Sequence, residues 1–154
     1  MKCYFTLAAA LMIGSLVVAQ GGAPPGVAHV DKATMDAALV GGLTVVVDDS
    51  SDWGLRVLGM RRAKAGSVES HASESTVFYI IDGEADVIIG GTIVNMREIR
   101  PGEKTGTDLT GAAQTSHLVK GESLVVPAGV PYWFKNVPTY IAYFVVKVAN
   151  PHKP

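Results

Sequence analysis

The sequence predicts an all-β domain that closes into a sandwich or a barrel, and three observations lead to this prediction. After residue 43, apolar and polar residues mostly alternate with a period of two, which is the pattern of β-strands. Seventeen glycines and eight prolines indicate many turns. Only residues 31–40 have the apolar spacing of a helix, with Asp31 as its expected cap. The 154 residues suit one domain.

The N-terminal nineteen residues have the pattern of a secretory signal peptide. Lys2 precedes an apolar run, 3–18, and the small-residue sequence VVA is a cleavage site. We expect removal of residues 1–19, a secreted or periplasmic protein, and no membrane attachment after cleavage. A retained anchor is the alternative, although the run is short and no stop signal follows. Residues 20–30 read as a flexible leader.

Composition argues against several classes of function. Cleavage of the signal removes Cys3, the only cysteine, so the mature chain has no disulfide, thiol nucleophile or thiolate ligand. The formal net charge of the full chain is −1 and no basic stripe occurs, which argues against a nucleic-acid partner. No G-x-S-x-G sequence is present, so a serine hydrolase of that type is not expected.

The strands are predicted at the apolar alternating segments. They are LTVVVD (43–48), GLRVLGMRRA (54–63), SVESH (67–71), STVFYII (75–81), EADVIIG (84–90), AAQTSHLVK (112–120), SLVVP (123–127), YWFKN (132–136) and YIAYFVVKV (140–148). Asp82-Gly83 predicts a hairpin turn and Gly90-Gly91 a second turn. The polar segment 96–111 is predicted to be a loop. Alternation places His117 on the outside of the sheet.

Glu69 and His71 are the first candidate site residues. They are two positions apart on a predicted strand and therefore share one face of the sheet. If that face is inward, a buried carboxylate lies beside a buried imidazole. Such a pair is either a metal site or a hydrogen-bonded structural pair, and the sequence leaves both readings open.

A second informative stretch is GESLVVPAGVPYWFKN, residues 121 to 136. Its glycine, proline, glycine and asparagine stand at the spacing G-x5-P-x-G-x2-H-x3-N, which resembles the second motif of the cupin family. Tyr132 takes the place of the metal-binding histidine of that motif. Five fixed positions, four of them matched, make this a specific signal.

The stretch VESHASESTVFYIIDG, residues 68 to 83, resembles the first cupin motif. Counting back from its last glycine, Glu69 and His71 stand at the two histidine positions and Thr76 at the glutamate position. The resemblance covers residues 43–148. It implies a single cupin jelly-roll, or double-stranded β-helix, often a homodimer, with its site inside the barrel.

The resemblance also implies a possible metal ion. Glu69, His71 and Tyr132 are the expected ligands, for iron, manganese, nickel or zinc, and no organic cofactor is expected. Glu69 and Tyr132 are also the candidate catalytic pair, as a base whose pKa is raised by burial and as an acid. One of the two adjacent arginines, Arg61 and Arg62, is a candidate to reach a ligand carboxylate.

The predicted pocket is apolar. Thr76, Phe78 and Ile80 alternate inward on one strand, and Phe134 faces the same space from another. An apolar cavity with a few converging polar groups is typical of a small-molecule site. The resulting hypotheses are a metal-dependent lyase, isomerase or oxygenase, a non-catalytic binding barrel with a degenerate metal site, and a structural or dimerisation role.

Overall fold

The computed structural model describes residues 27–49 and 53–150. The predicted signal peptide therefore lies outside the described residues, as does most of the leader. A short helix, α1, spans Lys32–Ala38. Ten strands follow it: β1 Gly42–Asp49, β2 Leu55–Arg62, β3 Val68–His71, β4 Glu74–Val94, β5 Arg97–Arg100, β6 Glu103–Gly106, β7 Asp108–Val119, β8 Ser123–Val126, β9 Tyr132–Asn136 and β10 Ile141–Ala149. No helix of the described ranges is long and apolar enough to cross a membrane.

The predicted helix is confirmed, and it approaches the sheet closely at a glycine. The carboxylate of Asp31 accepts a hydrogen bond from the backbone N–H of Thr34 at 2.7 Å, which caps the first turn. Ala38, at the other end, is buried. A Cβ atom on Gly59 of β2 would lie 2.6 Å from the Cβ of Ala38, so the absence of a side chain lets the helix approach this closely.

The strands form two antiparallel sheets that curl around a common interior, and the all-β barrel prediction is confirmed. One sheet has the order β1-β2-β10-β4, with β8 also paired to β4. The other has the order β4-β9-β3-β6-β5, with β7 also paired to β4. We call them the first and the second sheet. Strand β4 belongs to both.

The predicted hairpin at Asp82-Gly83 is wrong, because β4 runs straight through it. The register with β10 places Ala142 opposite Asp82 and Tyr143 opposite Ile80, which leaves one residue of β4 bulged out. Gly83 has φ +77°, and a Cβ there would lie 2.1 Å from the carbonyl oxygen of Tyr140. An Asp-Gly pair supplies the positive φ that a bulge needs as readily as the one a hairpin needs.

The predicted turn at Gly90-Gly91 is also wrong, for the same reason. Both glycines have positive φ within β4, and the register with β7 shifts between Gly90 and Thr92. The segment 96–111 is not a loop either, since it contains β5, β6 and the start of β7. Strand β5 ends the second sheet and is exposed along its length, so it has no apolar alternation to reveal it in the sequence.

An aromatic cluster fills part of the barrel interior. Phe134 and Tyr143 are stacked, with ring centroids 5.0 Å apart. Phe78 makes edge contacts with both rings and with Tyr132, at centroid distances of 5.4, 5.6 and 5.3 Å. Edge-to-face and offset contacts of this kind add to the stabilisation that burial provides. Three members of the cluster, Phe78, Tyr132 and Tyr143, also line a cavity.

His117 lies on the outer face of the second sheet, as predicted, with its side chain 53% exposed. Its Nδ1 atom lies 2.7 Å from Oδ1 of Asp86, whose other oxygen accepts a hydrogen bond from Asn136 at 2.8 Å. The hydrogen bond with Asp86, followed by the charges of Asp86 and Glu84, raises the pKa of His117 despite some desolvation. The interaction therefore stabilises the fold below the unfolded pKa and is lost as the pH rises through the folded one.

Asp86→Asn is expected to lower the pKa of His117 towards its ordinary value of about 6.5, because the hydrogen-bonded anion is removed. An NMR titration of the imidazole protons measures this directly. Glu84→Gln is the matched control, since its carboxylate lies 3.6 Å from Nε2 and contributes less. An equal decrease in both variants would show that general surface charge, and not the Asp86 contact, sets the pKa.

Candidate metal centre

His71 is the central residue of the candidate site. It ends β3, which lies between β9 and β6, and its side chain is only 10% exposed. On the Nε2 edge of the ring, Oη of Tyr132 is 3.3 Å away and Oε2 of Glu69 is 3.7 Å away. Glu69 and Tyr132 are direct partners across β3 and β9. The structure therefore brings the three sequence-predicted ligands together.

Two further carboxylates lie on the opposite edge of the ring. Oε2 of Glu74 and Oε1 of Glu103 are each 4.0 Å from Nδ1 of His71. Glu103 is the direct cross-strand partner of His71 in β6, and Glu74 begins β4 just after the β3–β4 connection. The ligand atoms of His71, Glu74 and Glu103 all lie within 4.8 Å of one another. We call these three residues the triad.

The Tyr132–Glu69 pair is a hydrogen bond from a neutral phenol to a carboxylate. Oη of Tyr132 donates to Oε2 of Glu69 at 3.0 Å. Burial, with the charge of Glu69 and this hydrogen bond, raises the pKa of Tyr132 well above its ordinary value. Burial also acts to raise the pKa of Glu69, but the hydrogen bonds with His71 and Tyr132 and the charge of Arg62 lower it overall. The expectation of a raised Glu69 pKa is therefore wrong.

A lysine ammonium lies inside the candidate site. Nζ of Lys147, from β10, is 3.2 Å from Nδ1 and 3.1 Å from Nε2 of His71, and 3.4 Å from Oε2 of Glu74. The Lys147 side chain is 13% exposed. Arg56 of β2 also contacts Glu74. Burial acts to raise the pKa of Glu74, but Arg56 and Lys147 together lower it.

The site opens on a cavity of about 400 Å³ between the two sheets. Glu69, His71, Glu103, Tyr132 and Lys147 are among its lining residues, so polar groups gather at one side of it. The apolar part of the lining is Leu43, Val45, Leu58, Met60, Phe78, Ile99, Tyr143 and Val145, and the other basic residues are Arg56, Arg62, Arg100 and Lys104. A concave space with an apolar wall and a few charged groups suits a small organic molecule.

The four predicted pocket residues separate into two groups. Phe78 lines the cavity, whereas Thr76, Ile80 and Phe134 are not among the lining residues and lie buried, at 1%, 0% and 2% exposure. Ile80 and Phe134 belong to the hydrophobic core, and Phe134 is also part of the aromatic cluster. Alternation identified the inward face of each strand correctly. It could not distinguish inward side chains that line the cavity from those packed in the core, and of the four only Phe78 lines the cavity.

The triad is a possible metal site. One imidazole nitrogen and two carboxylates are ordinary ligands for zinc, manganese or iron. Because such ligand atoms lie about 2.0–2.2 Å from a bound ion, the three side chains would have to move closer together to bind one. In the predicted set, the phenol of Tyr132 keeps its proton and donates a hydrogen bond to Glu69. Tyr132 would have to lose this proton to bind a metal ion.

A family model described as "Cupin" matches residues 57–154 of the sequence. The chain belongs to the cupin family. The match extends over more than half of the chain and includes every residue of the triad as well as Glu69, Tyr132 and Lys147. No curated protein matches the sequence significantly.

Solved cupin-like structures resemble this fold at low identity. The DMSP lyase DddQ from Ruegeria pomeroyi DSS-3 is 14% identical, with a TM-score of 0.50, and covers 73% of this chain and 49% of its own. The hydroquinone 1,2-dioxygenase PnpCD, solved with Cd²⁺ and 4-hydroxybenzonitrile, is 19% identical, with a TM-score of 0.52, and covers 70% and 63%. This cupin therefore corresponds to about half of the first chain and to less than two thirds of the second. At these sequence identities the likeness shows the fold alone.

Three residues of the site, Glu74, Glu103 and Lys147, were not predicted from the sequence. Thr76 stands at the motif's glutamate position, and Glu74 lies two residues earlier, on the same face of the strand. Lys147 shares its face of β10 with the buried Tyr143 and Val145, so an inward lysine could have been predicted. Glu103 gave no such signal, because it lies in the polar segment 96–111 and is matched to His71 only by the pairing of β3 with β6.

Proposed function

We propose that this cupin binds a small organic molecule in its cavity, beside a divalent or ferric metal ion held by the triad. The observation that carries the proposal is the convergence of one imidazole and two carboxylates at the edge of a cavity of about 400 Å³. Three protein ligands and an adjoining space for substrate are the arrangement of a catalytic metal site. The candidate metals are iron, manganese, nickel and zinc.

The chemistry divides between the ion and the cavity residues. A bound ion supplies Lewis acidity towards a carbonyl or enolate oxygen. Glu69, ionised and partly exposed, is placed to accept a proton from a ligand in the cavity. Arg62, whose Nε donates to Oη of Tyr143 at 2.9 Å, supplies a fixed positive charge for an anionic group. Phe78 supplies an apolar surface. As an enzyme, the protein would be a lyase, isomerase or oxygenase.

A non-catalytic binding barrel is the second candidate function, and one observation favours it. The ammonium of Lys147 already neutralises part of the triad, as it lies within 3.4 Å of both His71 and Glu74. A barrel of this kind binds its ligand through the basic and apolar lining alone. Metal content separates the two candidates.

We further propose that the protein acts outside the cytoplasm as a homodimer. The signal pattern in residues 1–19 supports the first statement. The second is supported by β1, which is an edge strand of the first sheet. Light scattering of the purified protein tests the dimer, and N-terminal sequencing of the exported protein tests cleavage after Ala19.

The test of the metal proposal is elemental analysis of protein purified without a histidine tag or chelator. About one equivalent of metal is expected after reconstitution with excess metal ion. Glu103→Gln is expected to reduce metal affinity at least about tenfold, because it removes a charged ligand. Glu69→Gln is the matched control, since it removes one carboxylate from the other edge of His71 and should change affinity much less. A larger loss of metal affinity in Glu69→Gln than in Glu103→Gln would favour Glu69, His71 and Tyr132 as the ligands. Absence of metal from wild type after reconstitution would refute the metal proposal.

A further inference from the structure

The position of Lys147 carries an inference that rests on the proposed metal site. We propose that the Lys147 ammonium is an internal competitor for the metal ion. In the metal-free protein it occupies the position of a cation beside His71 and Glu74, and it must withdraw before these two residues can bind a metal. Lys147 thereby weakens metal binding without being a ligand.

The first argument is that the lysine already contacts the ring that would bind the metal. Nζ of Lys147 lies 3.2 Å from Nδ1 and 3.1 Å from Nε2 of His71. The lone pairs of the two ring nitrogens point in different directions in the ring plane, so an ammonium nearly equidistant from both nitrogens lies over the ring. It therefore opposes the metal through its position and its charge, and not by taking up a lone pair.

The second argument is electrostatic. Nζ also lies 3.4 Å from Oε2 of Glu74, so it contacts two of the three triad residues at once. An ion held by the triad would lie within a few ångströms of a positive charge that is 13% exposed and little screened by solvent. Two cations do not share this position, so entry of the metal requires displacement of the ammonium.

The third argument is that the surroundings allow Lys147 to leave. Arg56 contacts Glu74 independently, so this carboxylate keeps a cationic partner when Lys147 withdraws. Both Arg56 and Lys147 line the cavity, and Lys147 and Arg56 are direct partners across β10 and β2. The cavity gives the lysine side chain a space to move into. Withdrawal therefore leaves neither Glu74 unpaired nor the ammonium trapped in the core.

The test compares metal affinities of wild type, Lys147→Met and Lys104→Met. Lys104 lines the same cavity, so its substitution removes the same charge from the cavity but not the ammonium beside His71. Dissociation constants for Zn²⁺ and Mn²⁺ are measured by chelator competition. Lys147→Met is expected to bind at least about tenfold more tightly than wild type, because it removes a repulsive charge within a few ångströms of the ion. Lys104→Met should stay within about threefold, since Lys104 makes no hydrogen bond or ion pair with a triad residue in the described part of the chain, whereas Lys147 contacts two.

Thermal unfolding gives a second readout that does not depend on activity. Saturating metal should raise the melting temperature of Lys147→Met by more than that of wild type, because tighter binding to the native state stabilises it further. Lys147→Arg keeps the positive charge and should retain the weak binding of wild type. If Lys147→Met does not fold, Lys147→Gln takes its place, since it removes the charge and keeps a polar end.

The outcomes separate this inference from the metal proposal. Wild type that binds weakly, with tight binding by Lys147→Met, supports both. Equal affinities of wild type and Lys147→Met, or an equal gain in Lys104→Met, overturn the competitor role and leave the metal site standing. Absence of binding in wild type and in Lys147→Met overturns both, because the lysine is then not what keeps the metal out.

Discussion

Replacing His71 with alanine is expected to abolish metal binding while the barrel remains folded. The ring lies between three carboxylates, those of Glu74 and Glu103 on its Nδ1 edge and that of Glu69 on its Nε2 edge. Its loss should therefore weaken binding by more than about 100-fold, the upper range seen even for residues that only support a ligand. The cavity adjoins the ring, so water can fill the space left behind. Metal analysis and circular dichroism measure the two effects.

His117→Ala is the control for the His71 variant. His117 lies on the outer face of the second sheet, bonded to Asp86, so its loss should leave the metal content of wild type unchanged. Retention of metal by His71→Ala would place the site elsewhere in the protein. Loss of metal by both variants would indicate weak surface binding by histidine in general.

Gly83→Ala is expected to give the largest loss of stability, about 3–5 kcal/mol of the free energy of unfolding. The residue has φ +77°, which costs an alanine backbone strain. In addition, the new Cβ would lie 2.1 Å from the carbonyl oxygen of Tyr140, a backbone atom that cannot turn aside. Urea unfolding followed by circular dichroism measures the change, with the m-value as a check on cooperativity.

Gly121→Ala separates the two causes of this destabilisation. Gly121 also has a positive φ, +88°, but nothing lies within 4 Å of its Cβ position. Its substitution should cost only the conformational strain, about 1–2 kcal/mol. The difference between the two variants then measures the close approach of β4 to the Tyr140 carbonyl. Equal losses in the two variants would mean that this approach does not matter.

The fold class and most strands could be predicted because they depend on local patterns. Period-two alternation identified β1, β2, β9 and β10 within a residue or two, and the motif at residues 121–136 identified the barrel. The errors occurred where a local signal has two structural outcomes. Asp82-Gly83 supplies a positive φ both to hairpins and to bulges, and only the pairing of β10 with the residues on either side decides between them.

The site was predictable where its residues lie within one motif and not where they depend on strand pairing. Glu69, His71 and Tyr132 come together as expected, because the two motifs place them on strands that are paired in the same sheet. Glu103 lies opposite His71 only because β3 and β6 pair across more than thirty residues of chain. The pKa of Glu69 was predicted in the wrong direction, since burial can be read from a pattern but the hydrogen bonds that oppose it cannot.

Strand β4 passes from one sheet to the other at the bulge before Gly83, and the candidate site draws on both sheets. His71 and Glu103 belong to the second sheet, whereas Glu74 and Lys147 belong to the first. The bulge in β4 therefore lies between the parts of the strand that pair in the two walls of the cavity. We expect a substitution there to alter the spacing of the triad without touching any of its side chains. The proposed metal site would in this way depend on the backbone of β4 as well as on the side chains.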